Sequence, residues 1–241
     1  MPKQKGLGTL KINKAKLFAL IAVAFVGIPT VLFVSLVIAQ TYSVWEASKT
    51  LDRLEKLRVG DQAESFAIAT ESCQPLTNGC FLEAGAYHWS WFERVSPEWS
   101  EHIESLASRG GLPWWVFSAF RTLDEGRISR ISVSVMVVAP QKKVLVGAWT
   151  LSPTLLFIPN DLDRDAPTSV TPVNVTSTGP AEGYRVNVTD RSSATDLQAR
   201  AMNRRCLLPF GRCECICQLL PHAGPLLLKE HLNCGDCAGP H

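Results

Sequence analysis

The sequence predicts an α+β protein with a single N-terminal transmembrane helix. After the helix come a small antiparallel sheet (a three-strand meander plus one or two strands) covered on one face by two helices, and an irregular, cysteine-rich C-terminal tail. Three observations carry this. Leu17 to Ala39 is apolar and holds no ionisable side chain. Within residues 127–138 the pattern alternates, with Ile131, Val133, Val135 and Val137 on one side and Ser132 and Ser134 on the other. Six of the eight cysteines lie beyond residue 205.

The apolar run comes first. At 1.5 Å rise per residue it is about 34 Å long, enough for a hydrocarbon core of about 30 Å. Pro29 falls mid-span, where a membrane helix tolerates it and a kink is expected. Lys3, Lys5, Lys11, Lys14 and Lys16 precede the run and no acidic residue does. That bias places residues 1–16 in the cytoplasm and the C-terminus outside a plasma (inner) membrane, with residues 17–39 in contact with lipid. Val37-Ile38-Ala39 also offers a small-residue cleavage site, but the run is longer than a signal-peptide core. Without its five leading lysines the chain goes from a formal +2 to −3, so nothing points to nucleic acid.

Residues 41–59 read as a juxtamembrane helical stalk. Val44, Ala47, Leu51 and Leu54 recur at heptad spacing among charged residues. Such a stripe serves either packing on the chain's own domain or a dimer through the stalk. Asp61 and Glu64 have capping-box spacing, predicting a helix to about Ser72. Phe81 to Phe92 reads as extended, with Tyr87, Trp89 and Trp91 on one side. Ser96, Pro97 and Gly110 bound a helix whose apolar face is Trp99, Ile103, Leu106 and Ala107. Strands over 114–122, 127–138 and 144–151 follow, joined by turns at Leu123–Gly126 and Pro140–Lys143. Residues 60–153 form the expected extracytoplasmic α+β domain. Residues 154–183 have the Pro, Asp, Thr and Ser content of a linker. Residues 184–241 read as a poorly structured tail with one short strand over 184–188, because Phe210 and Lys229 are the only aromatic and lysine residues from Arg185 onward.

The even cysteine count of an exported chain favours disulfides. Cys73 and Cys80 flank an Asn-Gly turn and form the disulfide candidate. In the tail, Cys213, Cys215, Cys217, Cys234 and Cys237 could instead supply thiolates to a metal. The first half of that set is Cys-x-Cys-x-Cys, a poor match to a zinc half-site, so no cofactor is expected.

No phosphate loop, Gly-x-Ser-x-Gly elbow or His-Glu-x-x-His occurs. His88, His102, Glu93, Glu101 and Glu104 lie close in sequence, but His102 follows Glu98 by one helical turn and reads as a surface ion pair. Trp114 and Trp115 point to opposite faces of one strand, so one of them is the candidate for contact with a partner. The expectation is a non-enzymatic binding or assembly domain with a protein partner in the cell envelope. The alternatives are an exported hydrolase-like enzyme and a cysteine-ligated metal module.

Overall fold

A computed structural model of the chain describes residues 14–66, 79–85, 110–138, 143–155, 167–175, 180–211 and 213–229. The chain divides into two units, Met1–Ala39 and Gln40–His241. The helix α1, Lys14–Leu54, begins in the first and ends in the second.

In the first unit α1 is apolar on every side. Phe18, Val23, Phe25, Val26, Ile28, Val31, Leu32 and Ile38 are all exposed. Thr30 Oγ1 donates to the Val26 carbonyl and Ser35 Oγ to the Val31 carbonyl, so these hydroxyls turn back onto their own helix. The helix is long and apolar enough to cross a membrane, and only 6% of its apolar window is buried. A core helix of a soluble domain is mostly covered, whereas a membrane span or a signal sequence passes the same test of length and composition.

In the second unit α1 changes character. Val44, Ala47, Leu51 and Leu54 are buried, and so is Leu57 beyond the helix end. They join one hydrophobic core with the sheet. The heptad stripe therefore packs into the chain's own domain. The helix expected from Asp61 is a single 3-10 turn, Ala63–Phe66, as far as Phe66. The Asp61 carboxylate does not cap it. It reaches back and accepts from the Arg58 N–H at 2.7 Å.

Six strands form one mixed sheet in the order β1-β2-β3-β4-β6-β5. They are β1 Gly79–Gly85, β2 Trp114–Asp124, β3 Arg127–Val138, β4 Val144–Ser152, β5 Thr168–Pro172 and β6 Ala181–Thr189. β1 to β4 pair antiparallel in chain order, and β2 to β4 are the expected three-strand meander. The β2–β3 hairpin turns on Glu125 (φ 49°) and Gly126 (φ 77°), the paired left-handed residues that match strand twist in a two-residue loop. β6 then pairs with β4 in parallel, and β5 with β6 antiparallel. The sheet is larger than expected and not purely antiparallel.

The inner face carries Trp115, Phe117, Ala119, Ile131, Val133, Val135, Val137, Leu145, Trp149, Leu151, Val186 and Val188, all essentially inaccessible. Its register pairs Trp115 with Val137 and Trp149 with Val186. Among the described residues, the cover of this face comes from 194–229, within the stretch expected to be the tail. Short helices α2 (Ala194–Gln198), α3 (Ile216–Leu219) and α4 (Gly224–Lys229) lie in that stretch. Met202, Leu207, Ile216, Leu219, Leu220 and Leu227 join the core beside α1. Gly147 leaves room for this cover, since a Cβ there would come within 3.0 Å of Leu219. The tail needs no aromatic residue of its own, because Trp115, Phe117, Trp149 and Phe66 supply those rings. The helix expected over Ser96–Gly110 lies, apart from Gly110, outside the described residues, as do Tyr87, Trp89 and Trp91.

Candidate functional site

The outer sheet face and the end of α1 are the two places where polar groups gather. On the outer face, hydroxyls pair across strands. Ser118 and Ser134 lie 2.8 Å apart, Thr122 and Ser129 3.0 Å, and Ser132 and Thr150 3.2 Å. Asn187 Nδ2 donates to Ser169 Oγ and Thr171 Oγ1. The hydroxyls pair with one another, while Asn187 Oδ1 has no hydrogen-bond partner, and Thr150, Ser169 and Asn187 are buried. Among them stand two aromatic side chains, Phe81 on β1 and Phe120 on β2. They are register partners, 49% and 39% exposed. The Phe120 ring covers Gly79, where a Cβ would meet it at 2.8 Å. Glycine at 79 thus sets the position of the exposed ring.

At the end of α1 the buried cation is Arg200. Its guanidinium donates to the Glu55, Leu57 and Leu197 carbonyls and lies 5.1 Å from the Trp149 ring. Burial, reinforced by the positive charge of Arg58, pushes its pKa down to about 10. Arg204 pairs with Asp52 at 2.6 Å and with Glu55 at 3.1 Å. Burial raises the Glu55 pKa, against the opposing pull of Arg204 and the Met202 N–H. A cavity of about 280 Å³ lies alongside, lined by Glu55, Arg58, Ala194, Leu197, Gln198, Arg200 and Ala201. Its lining contains no nucleophile, and its sole carboxylate is already engaged by Arg204 and Met202. The role is structural: Arg200 donates to the Glu55 carbonyl at 2.6 Å just past the end of α1, and only weakly to that of Leu57 at 3.5 Å.

Trp115 is fully buried on the inner face and closed to any partner, whereas Trp114, on the outer face beside Val138, is half-buried. Cys80 is disulfide-bonded, and Cys73 lies outside the described residues. Cys213 is bonded to Cys206, and Cys215 and Cys217 are also half-cystines. Sulfurs in disulfides are not thiolate donors, and no group of His, Cys, Asp and Glu among the described residues is placed to hold a metal. Cys234, Cys237, His88, His102, Glu93, Glu101 and Glu104 lie outside the described residues.

Sequence reasoning missed Phe120, Arg200 and Gln40. Phe120 had a usable signal, since it shares the outward parity of Ser118 and Thr122. Arg200 had none, because its burial depends on Trp149, far away in sequence. No protein family, curated protein or solved structure matches this chain.

Proposed function

We propose that this is a single-pass protein of the plasma membrane, with residues 1–16 in the cytoplasm and the second unit outside. In this reading the second unit is a non-enzymatic binding or assembly domain that takes a protein partner on its outer sheet face. The observation that carries the binding role is the exposed Phe81–Phe120 pair on a face whose hydroxyls are satisfied among themselves. Aromatic anchors set among hydroxyls and a few charged side chains, here Glu83 and Arg130, have the composition of an interface centre. The five leading lysines and the exposed apolar surface of α1 support the anchor and its orientation. The half-cystines at 80, 206, 213, 215 and 217 support an oxidising compartment.

The test places a photo-reactive benzoylphenylalanine at Phe120 in the full chain, in its native membrane. A discrete protein adduct that disappears with Phe81→Ser is the expected result. Irradiation giving no adduct, or one indifferent to residue 81, rejects the outer face as the binding surface. An alkaline phosphatase fused after His241 tests the orientation and should be active.

A further inference from the structure

We propose that the Gln40 end of the second unit rests on lipid headgroups through an aromatic collar formed by Tyr42, Trp45 and Phe210. The inference depends on residues 17–39 crossing a bilayer. Ala39 ends that apolar run, so Gln40 stands at the lipid boundary whichever way the domain is turned.

Gln40 is wholly buried. Its side-chain amide donates to the Pro113 carbonyl at 2.9 Å and to the Leu207 carbonyl at 3.1 Å. Two loops, 110–113 and 207–211, are thereby tied to the first residue after the apolar run. The sheet registers show which end of the domain this is. Trp114, Val138, Val144 and Ala181 line up at one end, next to Pro113. The other end carries Asp124, Arg127 and Thr189, and there the Gly60 N–H meets the Ile128 carbonyl.

The surfaces of the two ends differ. The far end exposes Asp124, Glu125, Arg127, Asp190 and Arg191. Among the described residues the Gln40 end exposes three large aromatic rings, Tyr42 (57%), Trp45 (52%) and Phe210 (58%), together with Glu46 and Glu214. The Tyr42 and Trp45 rings lie 5.8 Å apart, tilted by 36°, on the side of α1 away from the core, and Lys49 Nζ lies 3.1 Å from the Trp45 ring centroid. On a helix they lie about 4.5 Å and 9 Å beyond Ala39. That interval spans a headgroup layer of about 5–8 Å, where aromatic rings with polar edges collect and lysine meets phosphate. Phe210 is held outward by its own backbone. It has φ 63°, its N–H donates to the Gly111 carbonyl, and the Cys206–Cys213 disulfide closes the loop that carries it. Arg205, exposed on the 3-10 turn just before that loop, adds a cation. A phenyl ring fixed outward at a left-handed position is unfavourable in water and favourable against lipid.

The test uses the full chain in nanodiscs of mixed phosphatidylcholine and phosphatidylglycerol, with Phe210→benzoylphenylalanine in one sample and Asp190→benzoylphenylalanine in another. The collar predicts a lipid adduct several-fold stronger at 210 than at 190, with near-UV circular dichroism unchanged. Equal adducts, or an adduct joining two copies of the chain at 210, would overturn it. Alkaline carbonate extraction of vesicles separates the two levels. A chain that stays with the vesicles but gives no lipid adduct at 210 defeats the collar alone. A chain stripped off by carbonate defeats the membrane reading and the collar together.

Discussion

Arg200→Met removes a guanidinium that satisfies the chain leaving α1. Arg200 is 2% exposed, and its Nη2 donates to the Glu55 carbonyl at 2.6 Å. The bond from Nε to Leu197 is 3.2 Å, and the one from Nη1 to Leu57 is long at 3.5 Å and contributes little. A short bond from a charged donor is worth about 2–3 kcal/mol, and the bond to Leu197 about 1–2. The stacking on Trp149 adds about 1–2 kcal/mol in a desolvated site. Against these stands the burial of the cation. The fall from 12.5 to about 10 amounts to about 3 kcal/mol against the charged form. Methionine keeps the apolar stem on Trp149 and escapes that penalty, so the net loss is about 2 kcal/mol. Arg200→Lys keeps the charge but loses the fork, so it should be no more stable than the methionine variant. Urea unfolding of the full chain in detergent, followed by near-UV circular dichroism, measures both. A methionine variant within about 0.5 kcal/mol of the parent would show that water satisfies those carbonyls equally well. A lysine variant more stable than methionine would show that charge, not geometry, matters.

Three further outcomes follow from the same packing. Cys206→Ser with Cys213→Ser opens a short loop and should cost about 2.5 kcal/mol by chain entropy, read from the urea midpoint; no change would mean the loop is ordered without its staple. Gly147→Ala drives a methyl against Leu219 and Leu220, at 3.0–3.2 Å, and should cost about 1–3 kcal/mol. Full tolerance in thermal melts would mean that the tail does not press on the sheet. Glu55 has a folded pKa raised above its ordinary 4.5, so the folded state holds the proton more tightly than the unfolded chain. Its contribution is therefore greatest below 4.5 and is lost as pH rises through the raised value. Glu55→Gln should flatten the stability profile in that window; an unchanged slope assigns it to another group.

The part of this fold that was legible is the part governed by local period. Alternation at Ile131, Val133, Val135 and Val137 marks β3 and its buried side, and the Leu123–Gly126 turn marks the hairpin. Val44, Ala47, Leu51 and Leu54 mark the buried stripe of α1, but the stripe alone does not say what it packs against. The illegible part is governed by neighbours. Residues 184–188 read as a strand from Val186 and Val188, yet nothing in them announces that β6 lies beside β4 in parallel with β5 outside it. That position decides the fate of the tail. A strand between two others cannot be lost without opening the sheet, and the residues after it must return across the inner face. Leu207, Ile216, Leu219 and Leu227 are then buried by placement, although their surrounding sequence has the composition of a solvated segment. The same reasoning accounts for the candidate sites. Phe120 could be inferred from strand parity. Arg200 and Gln40 could not, because each is a polar side chain whose partners, Glu55 and Leu57 for one and Pro113 and Leu207 for the other, are supplied by distant backbone. Both sit where α1 meets loops of the second unit, so substitutions there should act on the domain's stability, while substitutions of Phe81 and Phe120 should act on its surface alone.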